Sequence, residues 1–144
     1  MARSQFGLPR KSRLSQRRDL TEVFESGMVL KHFPFIVHVK RIPYLGTPFR
    51  IAVSVPKRKF RLAVDRNRVK RLVREAIRLA APNYFQKEAS TPMETVDLLF
   101  IYQGNKLPDF PTVSGKIILT LHRLMGEHET DRNQNSNSPD PIIP

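Results

Sequence analysis

The sequence predicts one α+β domain whose elements run helix, strands, helix, strand, helix. Three observations predict it: apolar residues alternate in two stretches, recur at helical spacing in three others, and fill one run too short for a helix. The chain has 144 residues, of which 40% are apolar, enough for one modest core. No internal repeat is visible, and the chain divides into a basic arm at 1–14, a folded domain at 15–126 and a disordered acidic and polar tail at 127–144.

The arm reads as irregular. Ser15 is the expected N-cap of the first helix and Gly27 the residue just past its end. Leu20, Val23 and Phe24 fall at i, i+3 and i+4 and give this helix one apolar face. Met28–Lys31 is compatible with a short additional strand.

From Phe33 to Lys40 the residues alternate. Phe35, Val37 and Val39 share one face; Ile36, His38 and Lys40 share the other. Pro43, Gly46 and Pro48 mark a hairpin-like connection. A second alternating stretch follows from Arg50 to Val55. Ile51, Val53 and Val55 lie on one face, Ala52 and Ser54 on the opposite one. Two antiparallel strands with one greasy and one more polar face are expected. Pro56 ends the second strand, and Lys57 to Val64 form a basic connection.

Asp65 is the expected cap of a helix running to about Ala80, with Pro82 as its stop. Residues 83–95 read as loop. Val96 to Tyr102 is a strongly apolar strand, followed by a turn-rich connection from Gly104 to Pro111. Thr112 or Ser114 opens a last helix with Val113, Ile117, Leu121 and Leu124 on one side and Gly126 at its end.

Charge narrows the function. There are 25 Lys+Arg against 13 Asp+Glu, a formal charge of +12. Such an excess opposes compaction and attracts polyanions. It is localised: residues 1–18 and 57–78 together hold 16 of the 25 cations. A concentrated charge is the mark of a binding face.

Other classes are excluded. No apolar run approaches the roughly 18 residues a membrane span needs. The basic first twenty residues lack the apolar core of a signal peptide. There is no cysteine, hence no disulfide, thiolate metal site or Cys nucleophile, and a reducing cytoplasm fits. Asp19, Glu22, Glu25, Asp65, Asp97 and Asp109 form no recurring carboxylate cluster of the kind a metal-dependent nuclease needs. His32, His38, His122 and His128 show no ligand spacing. Six scattered glycines make no phosphate loop. The polypeptide is therefore expected to have no catalytic residue, metal site, membrane partner or small-molecule substrate of its own.

The helix at 65–80 carries the strongest signal. Val69, Leu72, Val73, Ala76, Ile77 and Ala80 make a complete core-facing stripe. Asn67, Lys70, Arg71, Arg74 and Arg78 make a second stripe about 16 Å long, at about 1.5 Å rise per residue. Lys70–Arg74 and Arg74–Arg78 are like-charge pairs that destabilise an isolated helix. Glu75 relieves Arg71 and Arg78 in part. Arginine suits phosphate because its planar fork makes two bonds at once. Asn67 can read a base edge or a 2′-hydroxyl.

The run Arg66-Asn67-Arg68-Val69-Lys70-Arg71-Leu72-Val73-Arg74-Glu75 resembles the signature of the bacterial ribonuclease P protein family. Ser54-Val55-Pro56-Lys57-Arg58 upstream, Ala63, and Arg13-Leu14 followed by Asp19-Leu20, Val23-Phe24 and Gly27 resemble that family's flanking segments. The resemblance spans residues 10–125. It implies a mixed sheet with a left-handed βαβ crossover, of the ribosomal protein S5 domain 2-like kind, where the general rule favours the right hand.

The resemblance also implies a function. A large RNA subunit, using bound Mg²⁺, cuts the 5′ leader from precursor tRNA in the cytoplasm. The protein binds that ribonuclease P RNA and holds the leader. Arg66, Asn67, Arg68, Lys70, Arg71, Arg74 and Arg78 would contact the RNA subunit. Phe24, Ile36, His38 and Ser54 would line the leader cleft, with Lys57 and Arg58 at its rim. Leu20, His38 and Gln103 depart from the family's usual Phe, aromatic and basic residues. The rival readings are a ribosome-associated RNA-binding protein and an autonomous nuclease; a duplex DNA binder lacks its recognition-helix pair.

Overall fold

The structure, a computed structural model, describes residues 8–85 and 94–133. Helix α1 spans Arg17–Ser26, and strands β1 (Met28–His32), β2 (Phe35–Pro43) and β3 (Phe49–Ser54) follow. Helix α2 (Ala63–Ala80) leads into the single turn α3 (Pro82–Phe85). Strand β4 (Glu94–Tyr102) and helix α4 (Phe110–Asn133) complete the order.

The four strands form one mixed sheet in the order β1-β2-β4-β3. β4 runs antiparallel to β2 and parallel to β3. The hairpin expected between the two alternating stretches is therefore absent: β2 and β3 run in opposite directions, but β4 lies between them. The cause is the composition of β4. Leu98 and Phe100 point to one face, Leu99 to the other, and all three are buried. Only a central strand covered on both faces can bury such a run. The link from β3 through α2 to β4 is the parallel crossover.

The face assignments made from alternation hold. Phe35, Val37 and Val39 are buried on the face that carries Leu98 and Phe100, and Ile51 and Val53 join them. Helices α2 and α4 cover this face and pack on each other. Val69, Val73, Ala76, Ile77 and Ala80 enter the core from α2, with Leu72 at its margin. Val113, Ile117, Leu121 and Leu124 enter from α4.

Helix α1 lies on the other face, where Val23 and Leu14 pack with Leu99 in a second, smaller core. Leu20 flanks it. Phe24 departs from the apolar face expected of it: its side chain is 55% exposed. A buried ion pair also fastens α1. Arg50 Nε and Nη2 donate to the two oxygens of Asp97 at 2.8 and 2.7 Å, and Nη1 reaches Asp19 of α1 at 3.2 Å. Gly27, just past the end of α1, is required there for a steric reason. Its φ of −84° is open to any residue. A Cβ there would stand 2.5 Å from the Val23 carbonyl oxygen and 2.7 Å from that of Val39.

The helix starts differ from those expected. α1 begins after Gln16, not Ser15, and α2 after Leu62, with Asp65 inside its first turn. There its negative charge favours the helix N-terminus. α4 begins at Phe110, and Asp109 Oδ1 accepts from the Thr112 N–H at 3.0 Å. α4 also continues past Gly126 to Asn133. A helical glycine costs only about 1 kcal/mol relative to alanine and need not end a helix. The helix thus takes in residues 127–133 of the expected tail, and residues 134–144 lie outside the described residues.

The basic arm is built into the domain from Leu8 onward. Leu8, Ser12 and Leu14 are buried, and Arg10–Ser12 form a 3-10 turn. The Leu14 N–H donates to the Ile51 carbonyl at 2.8 Å. This covers the edge of β3, which would otherwise offer unpaired backbone groups.

The ion pair makes a test of this architecture. Asp97→Ala leaves Arg50 buried without its main partner and should cost about 3–5 kcal/mol. Asp19→Ala removes the more exposed partner and should cost under about 1 kcal/mol. Urea unfolding of both variants checks the order, and equal losses would contradict it.

Candidate nucleic-acid interface

The outer side of α2 presents Asn67, Arg68, Arg71 and Arg74 to solvent, with Arg66, Lys70 and Arg78 half-buried. The helix sets this arrangement, since its opposite stripe is locked in the core. These cations do not behave alike. Arg66 Nη1 donates to the carbonyls of Phe60 and Arg61 at 2.8 and 3.1 Å. It thereby ties the basic connection to the first turn of α2. Arg78 makes a two-pronged pair with Glu75, at 3.1 and 2.6 Å. Among the described residues no carboxylate pairs with Arg68, Lys70, Arg71 or Arg74.

Tertiary structure adds a cation that sequence reasoning did not select as a site residue. Arg13, held by a bond from its Nη2 to the Leu8 carbonyl at 3.2 Å, lies close enough to act on Arg74. Partial desolvation of its guanidinium lowers the Arg74 pKa below its ordinary value, and the like charge of Arg13 lowers it further. Two like charges this close favour an anion beside them. Only the pairing of the Arg13 segment with Ile51 reveals this, because the two arginines are far apart in sequence.

A second candidate surface is the sheet face under α1. Strand register sets its rows. Ala52, Leu99, His38 and Val29 lie side by side across the four strands. Ser54, Ile101, Ile36 and Lys31 form the next row. The structure thus brings Ile36, His38 and Ser54 onto one face, as expected from alternation. It also inserts Leu99 and Ile101 between them and adds Lys31, which is exposed. Lys57 and Arg58 are exposed in the turn just beyond β3.

The Phe24 ring stands 4.7 Å from the ring of His38, tilted by 38°. His38 is buried, and its Nδ1 has no hydrogen-bond partner among the described residues. Burial lowers its pKa below the ordinary 6.5, so the ring is neutral near pH 7. A neutral ring capped by an exposed phenyl ring makes an aromatic shelf of the kind on which bases stack. Ser26 Oγ accepts from Lys40 Nζ at 3.2 Å and pins the end of α1 above the shelf.

The described residues contain no group of three or more His, Asp or Glu that could hold a metal ion. Asp97 and Asp19 serve Arg50, Glu75 serves Arg78, and Glu94 lies 3.8 Å from Arg41. No described helix is long and apolar enough to cross a membrane.

Comparison with known proteins identifies the family and the fold. A sequence model of the family described as Ribonuclease P matches residues 8–124. The chain is 38% identical over 127 residues to the ribonuclease P protein component of Porphyromonas gingivalis W83, covering 84% of this chain and 88% of that one. It is 32% identical over 119 residues to the ribonuclease P protein component of Desulfovibrio desulfuricans, covering 81% and 85%. Among solved structures, the RNase P protein from Thermotoga maritima superposes with a TM-score of 0.62 at 26% identity, over 77% of this chain and 96% of that one. The Staphylococcus aureus RNase P protein has a similar fold, with a TM-score of 0.59 at 18% identity over 79% and 97%.

His38 and His32 predict how stability responds to acid. Burial lowers both pKa values, and Arg123 and Lys116 lower that of His32 further. Below pH 6.5 the unfolded chain takes up protons that these folded sites resist. Their stabilisation is full above 6.5 and is lost as pH falls towards the lower folded values. His38→Phe should flatten this acid loss in part and leave the remainder to His32. An unchanged slope of urea midpoint against pH, between pH 7 and about 5, would contradict the assignment.

Proposed function

The chain belongs to the ribonuclease P protein family, and we propose that it serves its role there through two faces of one domain. As a protein component of ribonuclease P it is a subunit of the endoribonuclease that matures the tRNA 5′ end.

In this reading α2 binds the ribonuclease P RNA. The observation that carries it is the row Arg68, Lys70, Arg71 and Arg74, which lacks acidic partners among the described residues on a helix whose other side is fully buried. Arg71 and Arg74 bind phosphates with two-pronged geometry, and Asn67 contacts a base edge or 2′-hydroxyl. Arg66 acts chiefly by holding the connection in place, and Arg78 closes the row at its C-terminal end.

The sheet face under α1 takes the single-stranded 5′ leader of precursor tRNA. Phe24 on His38 offers a stacking surface; Ile36 and Ser54 extend its floor. Lys57 and Arg58 take phosphates at the rim. Mg²⁺ is held mainly by the RNA subunit and supplies the hydrolytic chemistry there. The described chain has no carboxylate cluster for it, and the polypeptide contributes binding and orientation. The cytoplasm, where precursor tRNAs are made, is the compartment this role requires.

Three measurements check the reading. Replacing Arg71 and Arg74 together with Ala should leave the urea midpoint nearly unchanged and weaken RNA binding. Its dependence of log K on log salt should flatten by roughly 0.7–0.9 per lost phosphate contact. An unchanged salt slope would remove α2 from the interface. Phe24→Ala should weaken binding of precursor tRNA by about 1–3 kcal/mol and leave mature tRNA unaffected. Finally, the protein should stimulate cleavage at the mature 5′ end when mixed with a bacterial ribonuclease P RNA and precursor tRNA at limiting Mg²⁺. Binding without stimulation would favour a ribosome-associated role, and cleavage by protein alone an autonomous nuclease.

A further inference from the structure

Beyond these two faces, an open cavity of about 450 Å³ lies at the C-terminal end of α2. That volume is within the roughly 300–1,000 Å³ usual for small-ligand sites. Three separate segments wall it with apolar groups: Leu8 and Pro9 before the 3-10 turn, Pro48 and Phe49 entering β3, and Ala81 and Pro82 after α2. The apolar lining is mixed with charge, since Lys11 and Arg78 also line it and no acidic side chain does.

The polar part of the lining is ordered. Thr47 Oγ1 donates to the Phe49 carbonyl at 3.1 Å. Its single proton is then committed, so in the 3.1 Å contact between Ser12 Oγ and Thr47 Oγ1 the serine donates. Thr95 Oγ1 fixes the same loop by donating to the Thr47 carbonyl at 2.7 Å. These bonds fasten the N-terminal turn and the loop before β3 to each other and to β4. Arg78 is held as well, its Nε and Nη2 on Glu75, which leaves the Nη1 end outside that pair.

The cavity is continuous with the cation row of α2. Arg71, Arg74 and Arg78 stand on successive turns, and the last of them lines the cavity. Arg13 beside Arg74 and Lys11 in the cavity wall extend the positive surface onto the N-terminal segment. A polyanion following this row arrives at an apolar recess flanked by two cations. Apolar walls with cations beside them match one chemistry above others: a flat, apolar-faced ring carried on a phosphate backbone.

We propose that this cavity receives an unpaired nucleobase of the bound RNA, with the adjoining phosphate between Lys11 and Arg78. The proposal rests on the reading of α2 as an RNA-binding helix. It adds a base-binding anchor to a surface made mainly of phosphate contacts, and so a preference for a strand with an unstacked base at that position.

The test uses the full chain with labelled Leu, Thr and Ala methyl groups and labelled arginine side chains. It is titrated with an oligoadenylate hexamer and with an abasic hexamer of the same ribose-phosphate backbone. Both should move the Arg71 and Arg74 signals. Only the oligoadenylate should move the methyl groups of Leu8, Thr47 and Ala81, and it should bind about 5- to 150-fold more tightly, the effect of one buried base. If the arginines respond to both hexamers while the cavity methyls stay still, the cavity proposal is overturned and the α2 reading stands. If the arginines respond to neither, both fall together. If the cavity methyls move with protein concentration alone, a second copy of the chain fills the recess and the nucleobase proposal is wrong.

Discussion

The double burial of β4 is the constraint on which the rest of this structure depends. A strand with Leu98 and Phe100 on one face and Leu99 on the other must be covered twice. One cover is the pair α2 and α4; the other is α1. The first cover turns the cations of α2 outward, because its Val69, Val73 and Ile77 stripe is committed to the sheet. The second brings Phe24 over His38 and leaves part of that sheet face open. Both candidate surfaces are thus consequences of how one apolar strand is hidden.

Charge is arranged against the fold's own convenience. A helix carrying Lys70, Arg71 and Arg74 without acidic partners among the described residues repels itself, and Arg13 beside Arg74 adds to the repulsion. The core stripe of α2 outweighs this cost. A polyanion relieves it, so the free energy withheld in the isolated chain becomes available on binding. Charges that need no RNA partner are treated differently. Arg50 is enclosed by Asp97 and Asp19. The molecule separates cations that hold structure from cations that await a ligand.

Much of this is legible in the chain itself. Alternation at Phe35, Val37 and Val39 and at Ile51 and Val53 names the core face, and the two stripes of α2 name its buried and binding sides. The signature from Arg66 to Glu75 points to the family before any coordinate is known. Helix starts are less legible, because Ser15 and Asp65 are good caps that the backbone does not use. Gly126 fails as a stop because a glycine marks a helix end only where neighbouring contacts or a turn favour leaving the helix.

Local periodicity determined by itself which side chains face inward, where cations concentrate and which family's signature the chain carries, since each depends on residues within a few turns of one another. Tertiary structure alone decided that β4 parts β2 from β3, that Arg13 meets Arg74, that Phe24 rests on His38, and that three distant segments enclose a recess beside Arg78. Those relations join residues remote in sequence. They exist only once the burial of β4 has chosen which elements share a face.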